Sequence, residues 1–333
     1  MKEDSHQKLL NLFKKKGGFF NNNLTVKKDV VNSYSVIATD DIKPNEDLIN
    51  VPANLLILQD TIKNLKQFGN NFIEVYFEFL SNNSNYLDTH PLNCNNLELE
   101  KISKTIKNNK NLYVNFTNKF KNFKSLNYDE KKIELLASTR AISIREQNKY
   151  KKYFMPIMDF INYNYFGLEY KVGIKGNVYL KSEKLIKKNE EILVNYSKSH
   201  EAISFFFEHG FIDNSFNSFK IKKNELKLNL NNISTYNKNY FSKDNNIYTF
   251  IEDIDFIENK FSKNFIKFLE ILPENERFAS ALRILDVYKN SIILGDDNFK
   301  SSIILKNFYK SIKLYLNIID NYLKLITRNY EKN

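Results

Sequence analysis

An aspartate and an asparagine stand three apart inside an apolar run, Met155-Pro156-Ile157-Met158-Asp159-Phe160-Ile161-Asn162-Tyr163-Asn164. A second run, Asn189-Glu190-Glu191-Ile192-Leu193-Val194-Asn195-Tyr196, ends in a tyrosine 34 residues after Asn162. Arg140 precedes both, and Glu208-His209-Gly210-Phe211 follows them. These are groups that orient a ligand and balance its charge. A primary amide offers donor and acceptor together, and a guanidinium forks onto a carboxylate as lysine does not. Other chemistries lack their parts. The single Cys94 excludes a disulfide framework and a multi-cysteine zinc site built within the chain, and four scattered histidines offer no ligand pair. Of eight glycines none is spaced as G-x-G-x-x-G or G-x-x-x-x-G-K-[ST], so neither a Rossmann nucleotide fold nor a P-loop is supported.

The elements that must position these residues are read from periodicity. Lys8 to Lys16 suits a short amphipathic helix closed by Gly17-Gly18. Thr25 to Val31 and Tyr34 to Ala38 read as strands, and a turn at Lys43-Pro44-Asn45-Glu46 leads into Leu48 to Pro52. From Leu58 to Leu136 the pattern is helical. Strands return at Phe154 to Met158, Glu169 to Ile174, Val178 to Leu180 and Ile192 to Asn195. After about Asn217 apolar seams of helical period dominate, the first running through Ile254, Phe256, Ile257, Phe261, Phe265, Phe268, Leu269 and Ile271.

This succession resembles the catalytic end of a SET-domain methyltransferase of the Rubisco large-subunit methyltransferase type. In that family an Arg and a motif like "P-x-x-D-x-x-N-H" precede "G-E-E-I-x-x-x-Y" and "Y-G-F". Asn32 to Ile57 follows the family's opening order of loop, strand, "D-I", turn, strand and proline. Glu276-Arg277 with Ala281 to Leu285 resembles the middle of its helical domain. The resemblance implies an α+β fold: a β-rich SET domain with a helical insert, followed by an all-helical C-terminal domain. The expected divisions are an N-terminal extension (1–24), the first SET part (25–57), the insert (58–136), the catalytic SET part (137–216) and a helical substrate-binding-like domain (217–333).

The resemblance also implies an activity, transfer of a methyl group from S-adenosyl-L-methionine to a lysine of a protein substrate. Tyr196 matches the catalytic tyrosine. Asn32, Ser33, Tyr34, Arg140, Asp159, Asn162, Tyr163 and Tyr196 fall at cofactor-contacting positions, and Ile142, Tyr170, His209 and Phe211 at the substrate channel. No metal is expected. Six positions depart from the pattern: Tyr163 stands for the family's His, Ser33 and Ser35 for loop glycines, Glu201-Ala202 for "S-N", and His209 for the Tyr of "Y-G-F". The thirteen-residue spacing from Tyr196 to His209 is kept.

Composition bounds the reading. At 333 residues the chain suits two domains, and 42% hydrophobic with 14% aromatic residues supplies a sizeable core. The net charge of +11 is almost all lysine, since arginine occurs only at 140, 145, 277, 283 and 328, so a nucleic-acid partner is not the expectation. No apolar run reaches the ~18 residues that span a membrane. The start, Met1-Lys2-Glu3-Asp4, lacks the order of a signal peptide. The expectation is a monomer in the reducing cytoplasm or nucleus. Two other readings remain, a catalytically weakened scaffold that binds proteins and a histidine-directed methyltransferase.

Overall fold

The computed structural model describes residues 5–28, 34–62, 71–82, 88–146, 149–196, 201–216, 218–221, 227–229, 241–244, 247–250, 254–257, 260–261, 263–272, 274–292 and 302–330. The chain divides into two compact units, Met1–Asp88 with Phe123–Tyr196, and Thr89–Asn122 with Ser197–Asn333.

In the first unit, helix α1 (Ser5–Lys15) buries Leu9, Leu10 and Phe13 and is followed by Gly17 at φ 93°, the left-handed conformation that ends helices. The chain then forms β1 (Phe19–Phe20), β2 (Leu24–Lys28), β3 (Tyr34–Ala38), β4 (Asp47–Val51) and β5 (Ile57–Leu58). Helices α2 (Gln59–Ile62) and α3 (Asn71–Asn82) come next. After α4 (Asn96–Ile106) and α5 (Lys110–Ser125), helix α6 (Tyr128–Arg140) returns to this unit. It leads into β6 (Ala141–Glu146), β7 (Lys149–Phe154), β8 (Asn162–Leu168), β9 (Lys171–Val172), β10 (Val178–Lys181) and β11 (Glu191–Val194). Three sheets result, in the orders β1-β4-β10-β9, β2-β3-β11-β8 and β5-β7-β6. Their pairs are antiparallel except β8 with β11.

Two asparagine turns hold the sheets in register. Asn45 (φ 67°) and Asn189 (φ 66°) adopt the left-handed conformation that asparagine tolerates better than most residues. In each turn a glutamate carboxylate accepts from a lysine N–H three residues back, Glu46 from Lys43 and Glu190 from Lys187, both at 3.0 Å. A bridge between Ile42 and Ile186 ties the two turns together. The asparagine-glutamate pairs of the sequence are therefore paired corners, from which β4 and β11 set out.

The second unit contains α4, most of α5, α7 (Ala202–His209), β12 (Ser218–Ile221), β13 (Lys227–Asn229), β14 (Phe241–Asp244), β15 (Ile247–Phe250), β16 (Ile254–Ile257) and β17 (Lys260–Phe261). Helices α8 (Lys263–Ile271), α9 (Glu274–Asn290) and α10 (Ile303–Tyr330) follow. A capping box starts α4, with Asn95 and Glu98 each satisfying the other's backbone N–H. The core is aromatic: Phe207 stacks on Phe116 at 4.3 Å and on Phe308 of α10 at 5.8 Å.

Four expectations need correction. Among the described residues of the C-terminal region, the helices α8 to α10 begin at Lys263 and the short strands β12 to β17 precede them. The single seam expected from Ile254 to Ile271 divides, because Ile254-Asp255-Phe256 alternates with period two while Phe265 to Ile271 keeps the helical period. Phe154 to Met158 is not a strand, since β7 ends at Phe154. Within Glu169 to Ile174 only Lys171 and Val172 are extended, and the main strand precedes them as β8.

Candidate functional site

Helix α6 starts on a capping box between Asn127 and Glu130 and carries Arg140 in its last turn, where a cation suits the helix dipole. The Arg140 Nη1 donates to the backbone carbonyl of Asp159 at 2.9 Å and lies 3.5 Å from the Asp159 carboxylate. Asp159 itself sits in a single turn, Met158–Phe160, entered through a strained residue. Ile157 has φ 75° and ψ −38°, a region that a β-branched side chain avoids and that costs of order 1–3 kcal/mol. Phe160 anchors the far side of the turn in the core, against Tyr34 and Phe79 at 5.4 and 5.0 Å. The strain is thus held in place by packing on one side and an ion pair on the other.

The Asp159 carboxylate also accepts a 2.5 Å hydrogen bond from Tyr76 of α3. Burial raises its pKa, while Arg140 and Tyr76 pull it back toward the ionised form. Each carboxylate oxygen therefore has a side-chain partner.

Strand β8 begins at Asn162, whose amide donates to the Glu191 carboxylate at 2.8 Å. The amide oxygen has no hydrogen-bond partner among the described residues. Further along β8, Gly167 lies so close to β11 that a Cβ would stand 2.7 Å from backbone atoms of Leu193 and Val194. Only glycine permits that approach. Asn195 continues the join, donating from its N–H to the Leu168 carbonyl at 2.8 Å and from its amide to the Tyr165 carbonyl. Its own amide oxygen is buried without a hydrogen-bond partner among the described residues.

This crossing delivers Tyr196. Its hydroxyl donates to the Ile161 carbonyl at a long 3.3 Å, and its ring rests 5.2 Å from that of Tyr163. A second phenol, Tyr170, belongs to the same cluster. Burial raises its pKa well above the ordinary tyrosine value, Tyr196 and Asp159 add to the rise, and Arg140 opposes it. Tyr170 is half-buried. The first unit therefore gathers two phenols, a guanidinium-carboxylate pair and an amide around the Asp159 turn.

Of the residues expected from sequence, Arg140, Asp159, Asn162, Tyr163, Tyr170 and Tyr196 share this region. Ile142 follows directly on β6, opposite Tyr153. Tyr34 turns its ring into the core beside Phe79 and Phe160, so that its backbone alone remains for a ligand. Asn32 and Ser33 lie outside the described residues. His209 and Phe211 belong to the second unit, where the His209 ring packs on Phe205 at 4.3 Å and Gly210 (φ 77°) ends α7. Tyr76, Ile157, Gly167 and Asn195 were not singled out from sequence. Gly167, in a chain with only eight glycines and inside a strand, carried the one usable signal.

The second unit has its own buried titratable group. His90 accepts from the Leu92 N–H on Nδ1 at 3.2 Å, so Nε2 carries the proton and donates to the Glu208 carbonyl at 3.1 Å. Burial lowers its pKa to about 4. Both ring nitrogens are used on backbone, and a Cβ at Gly210 would meet the His90 Cα at 3.1 Å. His90 is a neutral brace for the end of α7.

Among the described residues no group of three or more His, Cys, Asp or Glu could hold a metal ion, and no helix is long and apolar enough to cross a membrane. No family model matches the chain, and no curated protein matches it. Solved structures do match. The SET domain of LSMT bound to methyllysine and AdoHcy aligns with TM-score 0.55 at 11% identity, over 98% of this chain and 92% of that one. The SET domain of LSMT bound to lysine and AdoHcy gives 0.52 at 10%, over 98% and 92%. Rubisco LSMT bound to sinefungin and monomethyllysine gives 0.53 at 10%, over 99% and 93%. The chain has the fold of the SET-domain structures of Rubisco large-subunit methyltransferase.

Proposed function

We propose that the protein transfers a methyl group from S-adenosyl-L-methionine to a lysine side chain of a protein substrate. The observation that carries this reading is the Tyr196 hydroxyl placed on the Ile161 carbonyl, two residues after a buried Asp159 that the half-buried Arg140 holds. The matched structures hold AdoHcy with lysine or methyllysine, which supports the same chemistry here.

The donor set fits that cofactor. The free amide oxygen of Asn162 and the Glu191 carboxylate beside it suit an ammonium, and the buried, unpartnered amide oxygen of Asn195 lies one residue before the catalytic position. The backbone near Tyr34 and the Tyr163 ring complete the proposed contacts, and Ile142 with Tyr170 lines the proposed acceptor channel. When bound, S-adenosylmethionine supplies a methyl activated by a sulfonium.

This chain's residues supply orientation. A lysine amine is charged at neutral pH, with a reference pKa of about 10.4, and an apolar, aromatic surrounding favours its neutral form. The Tyr196 hydroxyl, which donates to the Ile161 carbonyl at 3.3 Å, keeps lone pairs that can accept from the amine and aim it. Tyr170 stays protonated far above neutral pH and acts as a fixed donor. Asp159 supplies a compensating negative charge whose position is set by Tyr76 and Arg140. The second unit is proposed to select the protein substrate.

Labelled-methyl transfer from S-adenosylmethionine into a cell lysate, with the products located by mass spectrometry, tests the proposal. Methyl on lysine is expected. Methyl on histidine would make the enzyme histidine-directed, and no transfer with S-adenosylhomocysteine still bound would make it a scaffold.

A further inference from the structure

Helix α10 is one straight choice of residues repeated for eight turns. Its buried face is closed: Phe308, Ile312, Tyr315, Ile319 and Tyr322 are each fully buried. Its exposed residues are Ile303, Lys306, Lys310, Lys313, Asn317, Asn321, Lys324 and Arg328, recurring at three or four residues, so they form one stripe. Five of the eight are cations and none is an acid. From Lys306 to Arg328 the stripe runs about 33 Å, at about 1.5 Å per residue. The one carboxylate of the helix, Asp320, is half-buried and already paired with Lys289 of α9 at 2.7 Å.

A merely solvated helix face mixes its charges, because like charges at these spacings repel while opposite ones attract. Helix α9 does so, exposing Glu274, Arg283 and Asp286. The α10 stripe sets Lys306 against Lys310, Lys310 against Lys313, and Lys324 against Arg328. Within the fold, Lys313 gains a cation–π contact with Tyr309 at 4.5 Å, and none of the five cations gains an ion pair among the described residues. An anionic surface laid along the helix would supply such pairs.

We propose that the exposed stripe of α10 docks an acidic segment of the protein substrate, a deepening that rests on the methyl-transfer reading. Acidic protein fits better than nucleic acid on three counts. Four of the five cations are lysines, which lack the fork that grips phosphate. Asn317 and Asn321 interrupt the charge, whereas a phosphate backbone is continuous. The aromatic ring beside the stripe, Tyr309, is half-buried and already has Lys313 over it at 4.5 Å, which leaves no open ring for bases to stack on. Membrane insertion does not suit it, since the apolar face is buried in the protein. Docking along the stripe raises the local concentration of acceptor lysines carried by acidic partners.

The test is binding by the full chain to a fluorescein-labelled peptide of about twenty mixed Glu and Asp residues, and separately to a double-stranded DNA, at low and high salt. Anisotropy is read for the parent, for the triple variant Lys306→Glu, Lys310→Glu, Lys313→Glu, and for a control with Lys149→Glu and Lys152→Glu on the β6–β7 hairpin. The expected result is salt-sensitive peptide binding, weakened at least tenfold in the triple variant and unchanged in the control. S-adenosylhomocysteine binding, measured on the same variants, should not change, so failure of docking and failure of the methyl-transfer reading are told apart. Equal peptide binding by parent and triple variant overturns the proposal. DNA bound more tightly than peptide, and lost in the same variant, replaces it with a nucleic-acid surface.

Discussion

Two buried titratable groups, Asp159 in one unit and His90 in the other, look alike by burial and differ in what surrounds them. His90 spends both ring nitrogens on backbone groups and is held neutral, with a pKa near 4, which makes it a brace. Asp159 is held by two side chains, Arg140 and Tyr76, and lies two residues before Ile161, whose carbonyl receives the Tyr196 hydroxyl. A strained Ile157 leads into it, and nothing strained adjoins His90 itself except the left-handed glycine that ends α7. Burial alone therefore says little about function. What separates the two is whether the partners are themselves groups that a ligand can recruit.

The largest effect expected from breaking this contrast is at Arg140. Arg140→Ala leaves the Asp159 charge buried with only Tyr76, which should lower stability at neutral pH by about 3–5 kcal/mol. Without the guanidinium the folded-state pKa of Asp159 rises further, so the carboxyl takes up a proton sooner as pH falls. The gap between variant and parent should accordingly narrow on acidification. Urea denaturation of both proteins at pH 7.5 and pH 5 checks it, and a gap that widens would mean that Asp159 is not the group left behind.

His90 should give the opposite dependence. Its folded pKa of about 4 lies below the unfolded value of 6.5, so the unfolded chain takes the proton first. Stability then falls as pH drops below 6.5 and the contribution is lost by about pH 4, a total near 3 kcal/mol at most. In His90→Gln, whose amide can imitate both hydrogen bonds without titrating, the stability curve should be flatter across that window.

Gly167→Ala sharpens the contrast by structure instead of charge. Its Cβ would stand 2.7 Å from the β11 backbone, and forcing the strands apart should cost about 1–3 kcal/mol or more. Gly18→Ala meets the buried Phe13 ring and should also cost stability, but it lies away from the β8–β11 crossing, so transfer activity in the folded fraction should survive it better. The smallest effect is expected at Tyr163, buried beside the Tyr196 ring: Tyr163→His should raise the transfer rate by less than about tenfold, under ~1.4 kcal/mol.

Much of the frame was legible in sequence. The order of Arg140, Asp159, Asn162 and Tyr196 is a matter of chain order, and the turn at Lys43-Pro44-Asn45-Glu46 was legible in residue types that favour turns, with Asn45 taking the positive φ. What was not legible depends on distant packing. Tyr76 reaches Asp159 across 83 residues, and no local pattern in α3 marks that tyrosine out. The strain at Ile157 runs against the preference of its own side chain, so sequence logic points away from it. The strands between Ser218 and Phe261 were read in part as helix because closely spaced apolar residues fit both periods over so short a stretch.

The central claim, that Tyr196 orients the acceptor for methyl transfer, is tested most directly by Tyr196→Phe. The change keeps the ring against Tyr163 and removes one hydroxyl, so melting temperature and S-adenosylhomocysteine affinity should match the parent. Single-turnover transfer of labelled methyl to protein should fall by about 10²-fold or more, as for other preorganised hydrogen-bonding groups. Equal, measurable rates for Tyr196→Phe and the parent would contradict the assignment.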